Sequence, residues 1–178
     1  GYMLVGLAAY ADGQIEGLEG LLFYSAAYAF MNLGAFAVVA ALQKRPGVTS
    51  RLETFAGLGR REPLLGILMV LFLLSLTGIP PTAGFFAKAY VILAAVQGGG
   101  WLTLLAVIAV LNAAAAAFYY LRVVVYMYMR DPQADSAPVA HGALLRLGLA
   151  VTAVMTMALG LFPGPFLQSV GDAAQALG

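Results

Sequence analysis

Long apolar stretches separated by short polar segments run along the whole sequence. The apolar stretches cover residues 1–11, 21–43, 63–97, 101–129 and 143–162, and most charged side chains lie between them. About 20 consecutive apolar residues are needed for a helix to cross the roughly 30 Å hydrocarbon layer of a bilayer. The pattern therefore predicts an all-α, polytopic bundle of membrane helices.

The first stretch, 1–11, is too short to cross a membrane, because a helix of that length reaches only about 16 Å. It begins with Gly1 and has no charged segment before it that would indicate a signal peptide. We expect 1–11 to be the remnant of a longer transmembrane helix.

The stretch 63–97 is too long to be one straight helix across a bilayer. Its 35 residues would reach about 50 Å. Near its middle, Gly78 is followed two residues later by Pro80 and Pro81. Consecutive prolines remove two backbone donors and clash with the preceding turn, so the sequence predicts a helix broken at 78–82.

The break has consequences for nearby polar groups. Pro80 and Pro81 would leave the carbonyls of Leu76 and Thr77 without helical donors, and such groups are tolerated at membrane depth only where protein or water satisfies them. We therefore expect a hydrated pocket at the break. Thr82 is predicted to be the N-cap of the second half-helix.

Lys88 is a charged residue deep inside an apolar stretch, eight residues after Pro80 and nine before Gln97. A charge at that depth costs at least about 2.5 kcal/mol and must face protein or a water-filled cavity. The positive end of the second half-helix is expected to disfavour the charged form further. Since lysine can lose its charge, Lys88 is predicted to be a proton relay; the alternative is a lysine that merely snorkels to a helix end.

Polar side chains recur at helical spacing on two of the predicted spans. Their steps of three, four and seven place each set on one helix face. These stripes are predicted to line a water path, or alternatively to serve as interhelical hydrogen bonds and interfacial aromatics. Arg122 would then either snorkel or pair with an acid outside the chain. The stripes are Tyr24, Tyr28 and Asn32 on 21–43, and Asn112, Tyr119, Arg122 and Tyr126 on 101–129.

Composition narrows the class of protein. Apolar residues make up 62% and charged residues 10% of the 178 residues, with a mean hydropathy of +0.92. These values exclude an ordinary soluble enzyme, a disordered protein and a nucleic-acid binder. The chain has no cysteine and one histidine, His141, so we expect neither metal nor cofactor to bind it.

Basic residues predict the orientation in the membrane. They gather in the loop 44–62 and flank the loop after 129, whereas 12–20, 98–100 and the tail after Pro163 contain none. Loops rich in lysine and arginine remain in the cytoplasm. The C-terminus is then predicted on the outer, periplasmic side. The basic residues concerned are Lys44, Arg45, Arg51, Arg60, Arg61, Arg130 and Arg146.

Several segments resemble one protein family. LSLTGIPPTAGFFAKAYVI (74–92) closely resembles the broken twelfth helix of the antiporter-like subunits of respiratory complex I (NADH-quinone oxidoreductase). YAFMNLGAFAVV (28–39) resembles the eleventh helix of these subunits, and Gly1-Tyr2 resembles the start of the tenth. AFYYLRVVVYMYM (117–129) resembles the helix that follows the broken one in the N-type members. The chain is therefore similar to the C-terminal part of an N-type subunit.

This resemblance implies a fourteen-helix fold with inverted repeats, each holding a broken helix. It implies that Lys88 is the lysine of the second broken helix, which passes protons toward the outer half-channel. The chain would belong to a proton-pumping translocase of the bacterial inner membrane, with the other membrane subunits and lipid as partners. NAD, FMN, iron–sulfur clusters and quinone would act elsewhere in that complex, with no redox site on this chain. The alternatives are a subunit of a sodium/proton antiporter or membrane-bound hydrogenase, and a membrane scaffold that moves no ions.

Overall fold

The computed structural model describes residues 1–43, 52–131 and 142–177. All regular elements within these ranges are helical, as the apolar pattern predicted. His141 and the basic residues Lys44, Arg45 and Arg51 lie outside the described residues. The elements are α1 (Tyr2–Ala11), α2 (Ile15–Gln43), a 3-10 turn (Leu52–Phe55), α3 (Leu58–Arg61), α4 (Pro63–Thr77), α5 (Ala83–Gly98), α6 (Gly100–Met129), α7 (Ala143–Leu161) and α8 (Pro163–Leu177).

Three of these helices, α2, α6 and α7, are long and apolar enough to cross a membrane on their own. Helices α4 and α5 are each about 22 to 24 Å long, shorter than the hydrocarbon layer. The interruption between them covers residues 78–82, where the two prolines predicted it. Neither α4 nor α5 alone is therefore long enough to cross the bilayer.

Helix α2 begins at Ile15, six residues before the predicted start at 21, so the polar segment 12–20 is not the loop that we expected. Gly17 allows the extension, because a Cβ there would lie 2.6 Å from the Tyr10 nitrogen and 2.9 Å from the Ala9 Cβ. The backbones of α1 and α2 therefore nearly touch. Glu16 in the first turn also interacts favourably with the helix dipole.

The segment after Pro163, expected to be an outer tail, forms the helix α8. Pro163 occupies its first position, where a proline costs no hydrogen bond. Phe166, Leu167 and Val170 lie at helical spacing and pack against the cluster around Phe23 and Ala27. Helix α8 therefore covers part of α2 with an amphipathic face.

Helix α2 is the central element, packed against α1, α4, α5, α7 and α8. Its second half meets α4, where Gly34 admits the ring of Phe72. Its first half meets α5, through Phe23 and Ala27. Helix α7 reaches the break, since a Cβ at Gly160 would lie 2.6 to 2.7 Å from backbone atoms of Thr82 and Ala83. The break is thus enclosed by helices on several sides.

Candidate site at the helix break

Helix α4 ends at Gly78, which has φ +92°, a left-handed conformation that favours glycine. The Ile79 nitrogen donates to the Leu74 carbonyl at 3.1 Å, and the Gly78 nitrogen donates to the Ser75 carbonyl at 2.9 Å. This closure is a Schellman motif. It satisfies Leu74 and Ser75 but leaves the last two carbonyls of the helix directed into the break.

Lys88 supplies the missing donors at the end of α4. Its Nζ donates to the Leu76 oxygen at 2.6 Å and to the Thr77 oxygen at 2.8 Å. These are the carbonyls that would otherwise accept from residues 80 and 81, which are prolines without an N–H. Lys88 itself is only 8% exposed. The carbonyls that we expected to face a hydrated pocket are therefore satisfied by the protein.

The electrostatic environment of Lys88 differs from the expected one. Its Nζ binds the carbonyl end of α4, which carries partial negative charge and attracts a cation. The positive end of α5 acts mainly within the first turn, and Lys88 is the sixth residue of that helix. The expected effect of the α5 dipole is therefore opposed by the carbonyl end of α4, because the side chain reaches back to that helix.

The start of α5 is held by Ser75, which the sequence did not single out. Thr82 occupies the N-cap position, but its side chain makes no capping bond and donates instead to the Ile79 oxygen at 2.7 Å. The Ser75 hydroxyl accepts from the Gly84 nitrogen at 3.1 Å and lies 3.3 Å from the Met31 sulfur. A residue of α4 thus caps α5, and the two half-helices are joined directly.

A row of tyrosines begins beside Lys88. The Nζ lies 5.4 Å from the ring centroid of Tyr2. Tyr2 stacks on Tyr24 at 5.4 Å between ring centroids, and Tyr24 stacks on Tyr28 at 5.9 Å. Tyr24 is buried and Tyr28 is more than a third exposed. Part of the stripe predicted on α2 therefore connects with Lys88, through a residue of α1 that sequence reasoning missed.

The stripe predicted on α6 is placed differently. Asn112, Tyr119 and Arg122 are exposed in this chain. Asn112 donates to the Ile108 oxygen of its own helix, and the Arg122 guanidinium lies 6.0 Å from the Tyr126 ring. The structure does not bring this stripe to Lys88. Its fourth member, Tyr126, is half-buried.

No group of three or more histidine, cysteine or acidic side chains occurs among the described residues that could hold a metal ion. The groups around Lys88 Nζ at the break are two carbonyls and an aromatic ring. Such a set can bind, hold and release a proton. No nearby residues in the sequence indicate the roles of Tyr2 and Ser75, because their contacts join different helices.

A helix broken at a proline pair, with a buried lysine bound to the break, is what the resemblance to the antiporter-like membrane subunits implied. The chain belongs to this family: residues 1–113 match the family described as "NADH:quinone oxidoreductase/Mrp antiporter, TM". More particularly, it is similar to NADH-quinone oxidoreductase subunit N. Identity is 42% with that subunit from Chloroflexus aggregans and 45% with that from Granulibacter bethesdensis, over 100% and 99% of this chain.

Solved structures agree with that assignment. A chain of respiratory complex I from Thermus thermophilus with bound aureothin matches with a TM-score of 0.76 and 30% identity, over 95% of this chain and 36% of its own length. A chain of the membrane-bound sulfane sulfur reductase, an archaeal respiratory membrane complex, matches at 0.70 and 26%, over 92% of this chain and 32% of its own length. These comparisons confirm the predicted fold class and resemblance, and the chain is an integral membrane protein.

The chain spans about a third of the length of these relatives: it covers 35% of the Chloroflexus subunit and 36% of the Granulibacter subunit.

Proposed function

We propose that this chain is part of a proton-translocating membrane subunit of an NADH-quinone oxidoreductase, and that Lys88 is its proton relay. The observation that carries the proposal is the pair of hydrogen bonds from Lys88 Nζ to the carbonyls of Leu76 and Thr77 inside a membrane helix break. Subunit N relatives along the whole chain support the complex to which it is assigned.

The hydrogen-bond count at Nζ suits a proton relay. An ammonium group has three N–H donors, of which two are used by the carbonyls of α4. If the third proton passes to a water molecule or another base, the neutral amine still has two N–H groups for the same two carbonyls. Both protonation states can therefore keep the break intact, and the lone pair formed on release can accept the next proton.

We propose a route from Lys88 along Tyr24, Tyr28 and Asn32. It leads toward the basic end of the bundle, which is the end that holds Arg60 and Arg130. Tyr24 and Tyr28 continue the stack that begins at Tyr2, and Asn32 follows Tyr28 by four residues, one helical turn along α2. The stripe of Asn112, Tyr119, Arg122 and Tyr126 is proposed to line water together with protein outside this chain, because its first three members are exposed.

In this proposal electron transfer takes place elsewhere in the complex. NAD, FMN, iron–sulfur clusters and quinone would be bound by other subunits, as the likeness to chains of NADH-quinone oxidoreductase implies. The partners would be the other membrane subunits and the lipid of a bacterial inner membrane. The apolar faces of α6, on which Leu104, Leu111 and Phe118 are exposed, suit such contacts.

The proposed orientation places the basic end in the cytoplasm and the C-terminus in the periplasm. Arg60 pairs with Asp131 at 3.3 Å, and the Gly57 nitrogen donates to the Tyr126 oxygen, so the segment before α4 and the end of α6 lie together. At the other end, a Cβ at Gly98 would lie 3.7 Å from a carboxyl oxygen of Asp12.

The test is proton pumping by the assembled oxidoreductase in proteoliposomes, measured against NADH oxidation. Lys88→Met removes the transferable proton and should abolish pumping. Because Met also leaves two buried carbonyls without donors, Lys88→Arg serves as a second variant, which keeps the charge and the donors but cannot release a proton. It should assemble normally and pump at least ten-fold more slowly (a loss of about 1.4 kcal/mol or more in transition-state stabilisation).

Arg146→Met is the matched control, because Arg146 is an exposed cation at the basic end, far along the chain from the break. It should leave pumping unchanged. Normal pumping by Lys88→Arg in an assembled complex would refute the relay and leave an anchoring role.

A subunit of an antiporter or of a related respiratory membrane complex is the second candidate. It is favoured by the match to the sulfane sulfur reductase chain and by the breadth of the family. Purification of the native complex separates the two. NADH dehydrogenase subunits in the purified complex support the oxidoreductase, whereas their absence supports the second candidate.

A further inference from the structure

The ring of Tyr2 lies against the charged end of Lys88. The distance from Nζ to the ring centroid is 5.4 Å, inside the roughly 6 Å range in which an aromatic face attracts a cation. Two N–H groups of Lys88 already bind the carbonyls of Leu76 and Thr77. The ring is therefore a further contact of the ammonium, contributed by a helix that takes no part in the break.

The position of this ring is fixed from two directions. The Tyr2 hydroxyl donates to the Ala109 oxygen of α6 at 2.7 Å. The ring also stacks on that of Tyr24, with an interplanar angle of 20°. Moving Tyr2 away from Lys88 would break the hydrogen bond and the stack together.

We propose that Tyr2 is a positioning residue for Lys88, whose ring face holds the protonated amine at the end of α4. This inference rests on the proposed function. The negative face of an aromatic ring attracts an ammonium but has no comparable attraction for a neutral amine. Tyr2 therefore stabilises only the proton-loaded state, and no bond to Tyr2 forms or breaks when the proton moves.

The electrostatic part of this contact can be weakened without changing the shape of the side chain. Successive fluorination of a phenyl ring withdraws electron density from its face while adding little volume. Tyr2→Phe is the reference variant, because it keeps the ring and removes only the hydroxyl. Mono-, di- and trifluorinated phenylalanine at position 2 then form a graded series in the assembled oxidoreductase.

We expect the pumping rate to fall stepwise along this series, by about 2- to 30-fold at the trifluorinated ring, the range that a cation–aromatic contact is worth. The same fluorinated residues at Phe23, a fully buried ring of the neighbouring cluster, form the control and should leave the pumping rate unchanged. A purely structural role for Tyr2 predicts equal effects at positions 2 and 23.

The failure of this inference differs from the failure of the proposed function. If Lys88→Arg stops pumping but the series at position 2 is flat, Lys88 is a relay and Tyr2 is only a packing residue. If Lys88→Arg pumps normally, the relay itself is wrong, whatever the fluorinated series gives.

Discussion

Pro80 and Pro81 remove two donors from α4, and the side chain of Lys88 replaces both. A buried carbonyl without a partner costs about 1 to 3 kcal/mol, so the break would be unstable without these two bonds. The bonds also hold the amine where the carbonyl end of α4 favours its charge. At the residue scale, the group that stabilises the break is the group proposed to carry the proton.

Gly78→Ala should damage the same site. A side chain at φ +92° costs about 1 to 2 kcal/mol, and the new Cβ would lie 3.1 Å from Lys88 Cδ and 3.3 Å from Nζ. We expect a lower unfolding temperature of the subunit and slower pumping, measured on the purified complex. Gly148→Ala, in α7 with nothing within 4 Å of its Cβ position, should change neither. Equal pumping by both variants would contradict the close packing of Lys88 against Gly78.

Local chemistry decided which site residues the sequence could reveal. A charge at membrane depth and a proline pair can each be recognised within a single segment, so the sequence singled out Lys88 as a candidate and predicted the break at 78–82. Tyr2 lies 86 positions before Lys88, and its contacts arise only when α1 packs beside α5. For the same reason the sequence predicted the orphaned carbonyls but not that Lys88 would bind them.

The two half-helices act as one element because each stabilises an end of the other. Lys88 of α5 binds the last carbonyls of α4, and Ser75 of α4 accepts from the Gly84 nitrogen of α5. The hydroxyl of Ser75 thus replaces the capping bond that Thr82 does not make. We infer that this reciprocal bonding keeps the distance from Lys88 to its carbonyls constant.

Ser75→Ala tests that coupling. Loss of a helix cap costs typically about 1 kcal/mol, so amide hydrogen exchange over residues 78–86 should become about five-fold faster, as measured by mass spectrometry. Ser25→Ala is the control, since that hydroxyl donates only to the Leu21 oxygen of its own helix. Unchanged exchange at 78–86 in Ser75→Ala would show that Ser75 does not hold the start of α5.

The bounds of elements were predicted well where a strong local signal marks them and poorly where tertiary contact sets them. Helix α2 was predicted to begin at 21 because glycines and acids look like a loop, yet close approach to α1 extends it to Ile15. Helix α8 was missed because its first positions hold prolines and glycine. The helix is stabilised by burying its apolar face, which happens only when α2 is there to cover that face.

Across the whole molecule, charge and packing divide the chain into two ends. Arg60, Arg130 and Asp131 lie at one end, where the Arg60–Asp131 ion pair is 63% and 95% exposed and adds little stability. At the other end, a Cβ at Gly171 of α8 would lie 3.4 Å from a carboxyl oxygen of Glu19. The Glu19 contact places α8 beside the first half of α2, near the end of the bundle that holds Asp12 and Gly98.

The sidedness of the C-terminus can be tested with cysteines, because the chain contains none. Asp12→Cys and Ala176→Cys should react with a membrane-impermeant maleimide from the periplasmic side, and Asp131→Cys only after the cytoplasmic side is opened. Mass spectrometry locates the labelled residue in the assembled complex. Since α8 packs beside the first half of α2, residues 12 and 176 are expected to behave alike. Labelling of residue 176 together with 131, and not with 12, would mean that α8 turns back through the bilayer and that the C-terminus is cytoplasmic.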